Sequence, residues 1–122
     1  MAYVARYTTD LKTCLEKYAH LKNKFEKKKD YILESPLLLG EPLKHKLNGL
    51  RSFPLGSNFL IIFIVCDDCR RLKQKNINGC PHCEQTPKNT VFFLLFGPHD
   101  LMYKTAASSR KNLKGNEFDV FT

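Results

Sequence analysis

Residues 59–65 read Phe59-Leu60-Ile61-Ile62-Phe63-Ile64-Val65, and the next four read Cys66-Asp67-Asp68-Cys69. The apolar run is too short and too rich in β-branched side chains for a helix. It has no alternation of apolar and polar residues, so it reads as a central strand buried on both faces. Its abrupt end at a cysteine pair marks the point where a second kind of structure begins.

That structure is set by four cysteines. Cys66-Asp67-Asp68-Cys69 and Cys80-Pro81-His82-Cys83 are two C-x-x-C pairs separated by ten residues. Two residues between cysteines let a tight turn aim both thiolates at one centre, and two such turns complete a tetrahedron. Asn78-Gly79 supplies the positive φ that the second turn needs. Four thiolates fill every position around a zinc ion and leave no open site, so the metal reads as structural, with Cys66, Cys69, Cys80 and Cys83 as its ligands. Iron bound by four thiolates has the same spacing. A redox C-x-x-C does not call for a second copy so close by. His82, between two ligands, reads as a turn residue. Arg70, Arg71, Lys73 and Lys75 lie on this projection, either meeting phosphates or forming a solvated charged loop.

Upstream, residues 3–7 read as a short strand, followed by N-cap oxygens on Thr8, Thr9 and Asp10. Leu11, Cys14, Leu15, Tyr18, Leu21 and Phe25 recur every three or four residues and form one apolar helical stripe. Helical character continues to Glu34 and stops at Ser35-Pro36. Periodicity is compatible with one helix or with a pair hinged near residues 19–23. Residues 37–49 read as a loop, 50–53 as a strand and 54–57 as a turn. A last strand covers 91–96 and ends at Gly97-Pro98, and from Ala106 onward the polar composition reads as a mobile tail.

With 122 residues the chain has room for one domain. Twenty Lys and Arg face twelve Asp and Glu, a net charge of +8, which favours a polyanionic partner. The N-terminus lacks the layout of a secretory signal, and no apolar run approaches the ~20 residues that span a bilayer. A cytoplasmic location without membrane attachment is therefore expected. In that reducing compartment paired cysteines read as metal ligands, not disulfides.

Two further stretches carry a resemblance. Glu41-Pro42-Leu43-Lys44-His45-Lys46-Leu47-Asn48-Gly49-Leu50-Arg51 contains a P-L-K and a later G-x-R. Phe96-Gly97-Pro98-His99-Asp100-Leu101-Met102-Tyr103 contains a G-x-H-x-x-x-[FY] ending. In this order they resemble the RelE/ParE superfamily of toxin–antitoxin toxins, the second being similar to its YafQ-like ribonuclease branch. The resemblance spans about residues 3–65 and 91–104, with the cysteine segment standing where these toxins have a short hairpin turn.

The resemblance implies a single α+β domain over 1–122: an antiparallel sheet with one or two N-terminal helices packed on one face. A zinc-knuckle insertion at 66–83 lies between two strands, and residues 106–122 form the tail. It also implies a ribosome-dependent, metal-independent mRNA endonuclease whose partners are the ribosome, mRNA and a small acidic antitoxin. His99 matches the catalytic histidine, Arg51 the G-x-R arginine that would clamp a phosphate, and Tyr103 the terminal aromatic. Lys44 matches the P-L-K lysine; with Lys46, Arg70 and Arg71 it is expected to contact RNA. The sequence departs from the pattern at Pro54, at Asn58-Phe59, at Glu41 and at Leu60, where the family places further histidine, acidic-aromatic and arginine residues. Two other functions fit the chain: a non-enzymatic ParE-like gyrase inhibitor, which needs no His99, and a basic zinc-containing RNA- or ribosome-binding module.

Overall fold

The apolar run forms Phe59–Val65, strand β4 of a five-stranded sheet ordered β1-β5-β4-β3-β2. In this computed structural model, residues 3–74, 78 and 86–109 are described. The other strands are β1 (Val4–Tyr7), β2 (Glu41–Pro42), β3 (Arg51–Gly56) and β5 (Thr90–Pro98). Side chains of β4 alternate between two cores: Leu60, Ile62 and Ile64 enter one, and Ile61, Phe63 and Val65 enter the other. Both faces are dry, which is why the run shows no polar alternation.

Helices cover both faces. Of the three N-cap candidates Thr8, Thr9 and Asp10, Thr8 caps α1 (Thr9–Lys17) by accepting the Leu11 N–H at 3.1 Å. A 3-10 turn, Ala19–Leu21, separates α1 from α2 (Lys22–Glu34), which resolves the helical stretch into two helices. Helix α1 starts beside Leu94, whose carbonyl accepts from the Thr8 hydroxyl, and ends at Tyr18 beside Phe59 and Phe96. Helix α2 returns, from Leu21 and Lys24 near Gly56 to Leu33, whose carbonyl accepts from Tyr3 N–H. On the opposite face lie α4 (Cys66–Arg71), the 3-10 turn His45–Leu47 and α5 (His99–Ser109).

Several expectations need correction. The sheet is mixed, not antiparallel, because β1 pairs with β5 in parallel. Helices sit on both faces of the sheet because a doubly apolar sheet must be covered twice. Residues 37–49 contain α3 (Pro36–Leu39), opened by a proline at its first position, and the two residues of β2. Pro54 lies within β3, beside a bulge at Leu55 and beyond the reach of β2, which pairs only with Arg51 and Ser52. The turn falls later, at Ser57-Asn58. Residues 106–109, expected in the tail, continue α5: Ala106 is fully buried and the Ser109 hydroxyl donates to Asp10 at 2.7 Å. Residues 110–122 lie outside the described residues.

A bulge in β5 bears on the site. The register with β4 slips between Ile62 and Phe63, so Leu94 and Leu95 both enter the α5-side core while Phe93 and Phe96 enter the other. The strand therefore reaches Gly97 with its alternation shifted by one residue. A Cβ on Gly97 would lie 2.8 Å from Cε of Met102, the flexible end of an α5 side chain, so α5 approaches the strand closely there.

Candidate functional site

The β3–β4 hairpin and the end of β5 meet at one edge of the molecule. Asn58 takes a left-handed conformation at the hairpin tip (φ 63°), and its carbonyl accepts the His99 N–H at 2.6 Å. This bond fixes the first residue of α5. The His99 Nδ1 lies 3.1 Å from Asp100 Oδ1, and its ring meets Tyr103 edge-on at 4.8 Å, one helical turn away. With Nδ1 beside Asp100, Nε2 is the nitrogen left for a substrate. The His99 side chain is 50% exposed and Asp100 95%, so this contact contributes little to stability. A recess of about 310 Å³ opens here between Asn58, Pro98, His99 and Asp100.

His99 and Tyr103 are thus brought together, but Arg51 is not with them. Arg51 pairs with Phe63, whereas Pro98 pairs with Phe59, so four residues of β4, about 13 Å, separate the two levels. The Arg51 guanidinium is also occupied. Nε donates to Asp68 Oδ2 at 2.6 Å, and Nη1 donates to the carbonyls of Leu37 and Gly40 at 3.1 and 2.8 Å. The expected phosphate clamp is here a junction of β3, α3 and α4. Arg71 donates to the other oxygen of Asp68 at 2.9 Å, and Arg70 donates to Cys66 Sγ and to the Thr86 carbonyl. Lys44 and Lys46 are exposed on the turn that packs against α5, with His45 between them at φ 58°.

The first cysteine pair lies on α4, where Cys66 and Cys69 are both buried. Each sulfur accepts a side-chain N–H: Arg70 Nε reaches Cys66 Sγ at 3.3 Å and Asn78 Nδ2 reaches Cys69 Sγ at 3.1 Å. Such donors stabilise thiolate charge and orient metal-binding sulfurs. No group of three or more His, Cys, Asp or Glu placed to hold a metal occurs among the described residues. Cys80 and Cys83 lie outside them, as do His82 and Lys75.

Sequence reasoning missed Asp68, Gln74 and Asn78. Asp68 is hidden between two cysteines, where it reads as a turn residue, and its partner lies in another strand. Cys14, read as core, is half-buried on a separate recess of about 370 Å³ between α1 and α5. Burial pushes its thiol pKa up, partly offset by a backbone hydrogen bond with Phe96.

No protein-family model matches this sequence, and no curated protein matches it either. Among solved structures, a chain of the toxin–antitoxin complex RelBE2 from Mycobacterium tuberculosis aligns with a TM-score of 0.57 at 21% identity. The alignment covers 80% of this chain and 99% of that one. This chain has a RelE-like fold. At that identity the likeness establishes architecture, and function rests on the site. No helix among the described residues is long and apolar enough to cross a membrane.

Proposed function

We propose that the chain is the toxin of a toxin–antitoxin pair and that it cuts mRNA on the ribosome in the cytoplasm. The observation that carries this reading is the exposed His99–Tyr103 pair at the end of the last strand of a RelE-like fold. In the proposed reaction the ribose 2′-OH loses its proton and its oxygen attacks the adjacent phosphorus. The bond to the 5′-oxygen breaks, and that oxygen takes up a proton, leaving a 2′,3′-cyclic phosphate and a 5′-hydroxyl. His99 Nε2 acts as acid or base in this exchange, a step worth about 10²–10⁴-fold. Tyr103 stacks on a base beside it. Lys44 and Lys46 meet backbone phosphates and the exposed Arg71 extends the basic surface, whereas the Arg70 guanidinium is engaged by Cys66 and the Thr86 carbonyl.

The net charge of +8 favours an acidic antitoxin that neutralises this surface and covers His99. The cysteine segment holds a structural zinc through Cys66, Cys69, Cys80 and Cys83, a reading supported by the N–H···S bonds on the first pair. When bound, the metal supplies a cross-link, and the cleavage chemistry belongs to the side chains. Controlled expression in a bacterial host tests the toxin reading. Growth should stop with the unaltered chain and continue with His99→Ala, without a DNA-damage response. Arrest that persists in His99→Ala together with a DNA-damage response would replace the nuclease by a gyrase inhibitor. Metal analysis of the reduced protein should find one zinc per chain, and a metal-free folded protein would remove the zinc reading.

A further inference from the structure

The basic loop and the cysteine-bearing segment 66–74 are joined at two places. The first is the Arg51–Asp68 pair, with side chains only 12% and 5% exposed, whose guanidinium also holds the carbonyls that end α3. The second is Gln74, whose Nε2 donates to the Asn48 carbonyl at 3.0 Å. Its side chain covers Gly49 so closely that a Cβ there would lie 1.8 Å from Oε1. A cleft of about 120 Å³ lies along this joint, lined by Asn48, Gly49, Arg51, Asp68 and Arg71 among others. Both sides of the joint hold non-glycine residues in the left-handed region, His45 at φ 58° and Lys73 at φ 56°. Such conformations persist where the surroundings over-determine them. Beneath the loop, Leu43, Leu47 and Leu50 pack into the core shared with α5.

We propose that Asp68 and Gln74 are positioning residues for the basic loop. The segment 66–74, a helix carrying Cys66 and Cys69 and the turn to Gln74 that follows it, holds residues 43–50, and with them Lys44, His45 and Lys46, in the arrangement that meets RNA phosphates. This rests on the reading of Lys44 and Lys46 as phosphate contacts and is independent of which metal the cysteines hold. Its geometry is asymmetric: Asp68 and Gln74 are the donors of order, and the exposed side chains of the loop are its beneficiaries. It also gives Arg51 a role, as the link through which Asp68 acts.

The sign of one substitution separates positioning from simple electrostatics. Asp68→Asn removes a negative charge, so charge alone predicts tighter RNA binding, whereas lost positioning predicts weaker binding. Asp67→Asn makes the same change of charge one residue away and is the control. Two readouts are needed: amide exchange followed by NMR, and affinity for a short single-stranded RNA at fixed salt. In Asp68→Asn, exchange at Leu47, Asn48 and Leu50 should accelerate about tenfold while Ile62 and Leu94 in the sheet stay within about twofold. RNA affinity should fall about tenfold, with Asp67→Asn binding as tightly as the unaltered chain or more so. Unchanged loop exchange, acceleration shared equally by the sheet, or RNA binding as tight as in Asp67→Asn would each overturn the proposal. Should Asp68→Asn not fold, Gln74→Ala leaves the ion pair in place and carries the same two readouts. If the unaltered chain binds no RNA, the nucleic-acid reading fails, while the exchange comparison still decides whether these residues hold the loop.

Discussion

The two ends of the β4–β5 pair treat their polar side chains in opposite ways. At the cysteine end, Asp68 is buried and satisfied by Arg51 and Arg71, and Gln74 is buried against Asn48 and Gly49. At the hairpin end, His99, Asp100 and Tyr103 stand exposed, and their mutual contacts add little to stability. A buried charge must be paired for the fold to tolerate it, so the first group is committed to structure. The second group has no such obligation and is free to meet a ligand. The same reasoning moves Arg51 from the catalytic set to the structural one: its motif suggests a phosphate clamp, but its donors serve Asp68 and the carbonyls of Leu37 and Gly40.

The largest expected effect tests the committed end. Asp68→Ala leaves Arg51 buried without its counter-charge and should cost about 3–5 kcal/mol, read by denaturant unfolding. A cost below about 1 kcal/mol would place the pair with ordinary surface bridges and erase the contrast. Next, Gly49→Ala combines an unfavourable φ of +97° with collision against Gln74, and a loss of about 1–3 kcal/mol is expected. Chelation under reducing conditions should lower the melting temperature of the unaltered chain, with circular dichroism reporting the loss of structure. A melting curve indifferent to chelator would show that the cysteines hold no structural metal.

Effects at the open end should be small in stability and large in activity. His99→Ala is expected to shift unfolding by no more than about 0.5 kcal/mol. Smallest of all is the behaviour of Cys14, whose burial-raised thiol pKa keeps it protonated in the folded state. A pKa raised on folding favours the native state below the unfolded thiol's pKa, and this contribution fades as pH rises through the folded value. Alkylation at pH 8 should therefore be slower at Cys14 in the folded protein than in denaturant, and equal rates would show the site to be open.

Much of this division was legible in the sequence, and the exceptions have physical causes. The unbroken run at 59–65 announces a strand covered on both faces, and the Thr8 cap and the stop at Ser35-Pro36 are local signals that the fold respects. The parallel pairing of β1 with β5 depends on a partner more than eighty residues away, which local pattern does not reveal. Helix α5 extends past Tyr103 because Ala106 finds a place in the core and Ser109 finds Asp10, neither of which periodicity announces. At the site, the G-P-H ending points to His99 and Tyr103 because both lie on one local element. Arg51 misleads because a motif records residue type and spacing, whereas its role depends on which acid faces it across the sheet.

The most direct test of the account is cleavage of a defined mRNA in a translating extract, mapped by primer extension, with the unaltered chain beside His99→Ala. The account predicts cuts that require active ribosomes and fall by at least about 100-fold in His99→Ala, although that variant melts like the unaltered protein. Equal cutting by the two proteins would show that the open end is not the active site, and no cutting by either would remove the nuclease itself.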